Sequence, residues 1–148
     1  MLKQLLDQDL KKSLLSGDKE RTEVLRGLKS AILYREVADN ARDTGLSEDI
    51  MLAVTAKESS KRADSAAIYK QAGAEDRAAK ELSEKAIIDE YLPAQLGDAE
   101  LEKLVTEAVE EFGNDATKMG AIIAKVRAGA GPNADGSKIA TLVKSKLG

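Results

Sequence analysis

Residues 93–113 read PAQLGDAELEKLVTEAVEEFG. Leu101, Leu104, Val105, Ala108, Val109 and Phe112 recur at the three- and four-residue spacing of one helical face. Gly113 stands where a helix stops, and Asp98 stands where one is capped. Upstream, Pro93 and Gly97 punctuate a short linker over 93–98. This stretch therefore predicts two things at once: a helical chain, and a boundary near residue 93.

The same period runs in both directions from it. Toward the N-terminus, the spacing predicts a helix over 2–16 with Leu2, Leu5, Leu6, Leu10 and Leu14 on one stripe and Gly17 as its stop. A second helix opens at Asp18 and carries Val24, Leu25, Leu28, Ile32 and Arg35 on its stripe toward residue 40. Ser47 caps a third, running to about Ala72, and a fourth runs from about Glu75 to Tyr91, where Pro93 ends it. Toward the C-terminus, a sixth helix carries Met119, Ile122, Ile123 and Val126. After the loop AGAGPNADG, a seventh, capped by Asp135, carries Ile139, Leu142, Val143 and Leu147. No β-branched alternating run long enough for a strand occurs. The expected fold is all-α: a four-helix, bundle-like N-terminal part over 1–93 and a small three-helix C-terminal domain over 98–148.

Composition narrows the chemistry. The chain has 148 residues, with 23 Lys and Arg against 26 Asp and Glu, and no His or Cys. Without imidazole no side chain titrates near neutrality unless its environment moves it there. Without thiolate there is no cysteine nucleophile, disulfide or iron–sulfur cluster, and zinc loses its usual ligands. No metal or cofactor is expected. No apolar stretch approaches the roughly 18 residues of a bilayer span, and the N-terminus lacks a signal-peptide apolar block, so a cytoplasmic protein is expected.

Two groups of residues carry candidate binding chemistry. In the third helix, 56–65 reads AKESSKRADS, a polar centre where a packed helix usually keeps an aliphatic stripe. Lys57 and Lys61 share a face, Glu58 and Arg62 are placed for an ion pair, and Ser65 lies one turn beyond Lys61. Lys57, Lys61, Arg62 and Ser65 read either as a solvated face or as an anion or partner contact. The second group is the basic C-terminal stretch, 114–148, with six bases against two acids. Lys125, Arg127, Lys138 and Lys144 are its candidate nucleic-acid contacts, although lysines late in a helix also complement its dipole. No aromatic stacking platform is visible. The stretch 131–138, GPNADGSK, imitates a phosphate-binding loop, but Lys and Ser are transposed and a helix rather than a strand precedes it. Carboxylate pairs such as Glu81 with Glu84 and Glu107 with Glu110 or Glu111 read as solvated, so no catalytic residues are assigned.

Lys61-Arg62-x-Asp64-Ser65, Glu81-x-x-Glu84, Tyr91-Leu92-Pro93, Met119-Gly120-Ala121-Ile122 and Ala134-Asp135-Gly136, in this order and spacing, resemble the YqeY family, also called GatB/YqeY-like proteins. The closing segment IATLVKSKL resembles the family's last helix. The resemblance implies an N-terminal helical bundle with a small three-helix domain, and kinship with the tail of GatB, a subunit of tRNA-dependent amidotransferase. It carries a label of carbon–nitrogen ligase with glutamine as amido donor, and an association of that tail with gripping tRNA. Ser60, Ala74 and Ala116-Thr117 stand where family members often have Lys, Arg and Gly-Lys, which lowers the positive charge. The expected function is a tRNA-associated accessory or binding module, with tRNA or a tRNA-handling protein as partner and no autonomous catalytic site. The alternative is a helical protein–protein adapter without RNA.

Overall fold

A computed structural model describes residues 1–94, 96–131 and 134–147. Among these residues the fold is all-α, with seven α-helices, one 3-10 turn and no strand. They are α1 (Leu2–Ser16), α2 (Lys19–Ala38), α3 (Glu48–Gln71), α4 (Glu75–Asp89), α5 (Asp98–Phe112), α6 (Met119–Ala130) and α7 (Gly136–Leu147). The 3-10 turn, Ala116–Lys118, leads into α6. The chain divides into two compact units, Met1–Leu92 and Pro93–Gly148.

Local chemistry sets most helix ends. Gly17 sits at φ 75°, and its N–H and that of Asp18 return to the carbonyls of Leu14 and Ser13. That is the left-handed C-terminal cap for which glycine has no Cβ penalty. Asp18 Oδ1 accepts from the N–H of Arg21, and Ser47 Oγ from that of Ile50. Asp135 Oδ1 accepts from the N–H groups of Ser137 and Lys138, at 3.1 and 3.2 Å. The fourth helix stops at Asp89, two residues short of the Tyr91 expected from sequence. Asp98 does not cap α5. Gly97 takes the cap position with no side-chain bond, and the Asp98 carboxylate pairs with Lys138 instead.

The first unit is built from two helical hairpins, α1–α2 and α3–α4, with α2 packing against both helices of the second. Its core holds Leu2, Leu6, Leu25, Leu28, Ile32, Met51 and Tyr91. This stripe is narrower than the one read from sequence. Leu5 and Leu14 are 45% and 51% exposed, and Ser13 takes the inward position one turn after Leu10, donating to the Leu10 carbonyl. On α2 the buried residue after Ile32 is Glu36 rather than Arg35, and its carboxylate takes the ammonium of Lys3 at 2.8 Å. Tyr91 is buried and donates its hydroxyl to Asp9 Oδ2 at 2.6 Å. Burial, then the bond to Asp9, pushes its pKa up from the usual phenol value.

The α3–α4 hairpin is joined largely by polar groups. Thr55 and Ser59 are buried on the face of α3 that also carries Met51 and Ala66. Ser59 Oγ donates to Asp89 Oδ1 at 2.5 Å, and Lys85 Nζ holds the other oxygen of Asp89 at 2.6 Å. Arg62 pairs with Glu84 and lies 3.8 Å from Glu81. The polar centre of this helix is therefore neither wholly solvated nor free: half of it is a seam matched to the next helix. Glu58 does not pair with Arg62, because Arg62 turns to α4. Glu58 instead takes Lys61 at 3.1 Å.

The second unit has its own apolar core, Leu101, Val105, Ala108, Ile122, Val126, Ile139 and Val143, ringed by Leu104, Val109, Phe112, Met119, Ile123, Leu142 and Leu147. No helix among the described residues is long and apolar enough to cross a membrane.

Candidate nucleic-acid interface

The structure separates the candidate cations of the C-terminal stretch. Lys125 leans from α6 toward the end of α5, where it pairs with Glu111 and lies 5.9 Å from the centre of the Phe112 ring. Lys138, at the start of α7, pairs with Asp98, and this bond raises its pKa. Arg127 leans the other way, toward Gly136, where an added Cβ would meet its guanidinium at 3.9 Å. Lys144 lies in the last turn of α7. Arg127 and Lys144 are exposed and make no ion pair among the described residues. Two of the four thus have an acidic neighbour within their own unit and two do not.

The four candidates on α3 are also divided. Arg62 faces α4, between Glu84 and Glu81, with its side chain 27% exposed. Ser65 is half-buried and outside the neighbouring groove. Lys57 and Lys61 turn the other way, toward α2, and line a groove of about 530 Å³.

That groove exists because the facing side chains are small. Ala31 and Ala38 of α2 and Ala53 and Val54 of α3 line it and leave the two helix surfaces open to solvent. Around these sit Tyr34, Arg35, Lys57, Glu58 and Lys61. Arg35 pairs with Asp39 at 2.6 Å and Lys61 with Glu58 at 3.1 Å. Lys57 makes no ion pair among the described residues. Surface pairs of this kind contribute about 0–1 kcal/mol each, so an incoming anion can displace them. The groove has the size of a small-ligand site, and the cations among its lining residues, Arg35, Lys57 and Lys61, outnumber the one carboxylate, Glu58.

Sequence reasoning did not assign Tyr34 or Arg35 to a site. The available signal was phase: Tyr34 lies two residues past Ile32, on the side of α2 away from the Leu25–Leu28–Ile32 stripe, and is 79% exposed.

One group of carboxylates has a structural duty and the other stays at the surface. Glu81 and Glu84 flank one guanidinium, and Glu107, Glu110 and Glu111 are exposed. Among the described residues no cluster of acidic side chains could hold a metal ion. In the stretch resembling a phosphate loop, Pro132 and Asn133 lie outside the described residues, while Asp135 serves as the cap of α7.

Comparison with known proteins agrees with the motifs. The chain is 37% identical over 89 residues to "Altered inheritance of mitochondria protein 41, mitochondrial" of Kluyveromyces lactis. That match covers 60% of this chain and 47% of the yeast protein, so it spans about half the length of that relative. The family profile described as Yqey-like protein matches residues 3–147, nearly the whole sequence, and the chain therefore belongs to the YqeY family.

Proposed function

We propose that this protein is a tRNA-associated accessory module that works by binding, leaving bond-making to a partner. One observation carries the proposal: Lys57 and Lys61 line a single open groove together with Arg35. A polyanion gains from several cations held in fixed positions, because each neutralised phosphate releases counterions. The kinship with the GatB tail that the sequence resemblance implies supplies the RNA class, and the glutamine-dependent ligase label then describes the enzyme such a module would serve. Lys125, Arg127, Lys138 and Lys144 fit an auxiliary contact: Arg127 and Lys144 make no ion pair among the described residues, and the exposed pairs of Lys125 with Glu111 and Lys138 with Asp98 are of the same displaceable kind as those in the groove. The compartment goes with the proposal: a cytoplasmic one, although the yeast relative carries a mitochondrial name.

The test is fluorescence anisotropy with total tRNA at low salt. Binding should weaken steeply with salt, with a slope of roughly −2 to −3 in log K against log salt for two or three phosphate contacts. Lys57→Glu with Lys61→Glu should abolish it, and Arg127→Glu or Lys144→Glu should weaken it modestly. No binding at low salt would refute the proposal. A protein-adapter role is favoured by one separate feature, the exposure of Leu33 and Val37 (46% and 53%) on α2. Partners that survive RNase treatment in a pull-down from cells would support that role instead.

A further inference from the structure

Four aromatic side chains occur in the chain, and three of them are engaged. Tyr91 is buried in the first core and bonded to Asp9. Tyr69 has the Arg77 guanidinium 5.9 Å from its ring centre. Phe112 packs on the second core beneath Lys125. Tyr34 has no such partner among the described residues, and it is the most exposed of the four.

Its surroundings show what an exposed ring here is suited to meet. Tyr34 lines the same groove as Lys57, Lys61 and Arg35. Two carboxylates oppose the cations: Glu58 inside the groove and Asp39 next to Arg35. Three cations against two carboxylates leave a positive balance, and both pairs are surface pairs that a phosphate can displace. A flat ring beside ammonium groups is the combination that binds single-stranded nucleic acid, where bases stack and phosphates pair with cations. A base inside a duplex cannot present its face in this way.

We infer that the groove between α2 and α3 takes an unpaired nucleotide of an RNA strand, its base against the Tyr34 ring and its phosphate on Lys57 and Lys61. The inference rests on the RNA-binding reading above and narrows it to single-stranded segments. Tyr34 is so exposed that replacing it leaves the core untouched.

The experiment compares three labelled probes by anisotropy: a short oligouridylate, an RNA duplex of the same length, and inorganic polyphosphate. The oligouridylate should bind several-fold more tightly than the duplex. Tyr34→Ala should weaken oligouridylate binding about five- to a hundredfold, as loss of one base–aromatic stack does. It should leave polyphosphate binding unchanged, and Tyr34→Phe should retain most of the affinity. Lys57→Glu with Lys61→Glu should weaken all three probes. If RNA binds but Tyr34→Ala has no effect, or the duplex binds as well as the single strand, the stacking inference is overturned while RNA binding stands. If no RNA binds, both fail, and a groove that captures an acidic protein helix is the remaining occupant.

Discussion

Replacing Arg62 with methionine removes the cation that two carboxylates share. The side chains of Arg62, Glu81 and Glu84 are 27%, 20% and 11% exposed. Removing one partner of a fully buried pair costs about 3–5 kcal/mol, whereas an exposed pair is worth about 0–1 kcal/mol. This site lies between the two and nearer the first, so the loss should be about 2–3 kcal/mol. In a unit of this size that is a fall of roughly 10–20 °C in Tm. Urea and thermal unfolding followed by far-UV circular dichroism would measure it. The companion variant, Arg62→Met with Glu84→Met, removes the more buried of the two stranded carboxylates and fills the space with apolar atoms, leaving only Glu81, which is 20% exposed. It should recover most of the stability, since a buried pair contributes little against a well-packed apolar replacement. A single variant within about 0.5 kcal/mol of the parent, the range of unremarkable surface changes, would refute the reasoning. A double variant no more stable than the single would do the same.

Tyr91→Phe loses the bond to Asp9 and should cost about 1–2 kcal/mol at neutral pH. Because Tyr91 is harder to ionise in the folded chain, its contribution is full below the unfolded phenol value of 10.0 and is lost as pH rises beyond it. The gap between parent and variant should therefore close above about pH 10; a gap that stays constant in alkali would contradict the assignment. Asp135→Ala removes the acceptor for two N–H groups at the start of α7 and should cost about 1 kcal/mol. Thermal melts resolving the second unit would show a fall of roughly 4–8 °C, and no fall would mean that the cap is dispensable.

Helix positions were legible in the sequence because their ends are written in short-range chemistry. Asp18, Ser47, Asp135 and Gly17 act on residues within one turn of themselves. The faces were less legible. Leucines fill more of α1 than its buried stripe needs, so Leu5 and Leu14 read as core and are not. Arg35 and Glu36 are neighbours at the edge of the same stripe, and the buried one, Glu36, has its partner in Lys3, 33 residues earlier, which no local period announces. The seam on α3 was hidden for a related reason. Arg62 finds Glu84 22 residues away, and Ser59 finds Asp89 30 residues away, so neither bond leaves a local periodicity. The groove was half legible. The face shared by Lys57 and Lys61 follows from their spacing, but Tyr34 and Arg35 join it only once α2 and α3 lie side by side.

The polar join between α3 and α4 has one more consequence. Oil-like contacts tolerate slippage, since one leucine serves a hollow about as well as the next. Teeth of different shape do not: a shift of one turn would set Ser59, Arg62, Glu84 and Asp89 against the wrong mates, and each would be left wanting a bond. The hairpin is thereby indexed along its length. Because Lys57 and Lys61 ride on the same rod, their height above the neighbouring helix is fixed by a lock on its opposite side.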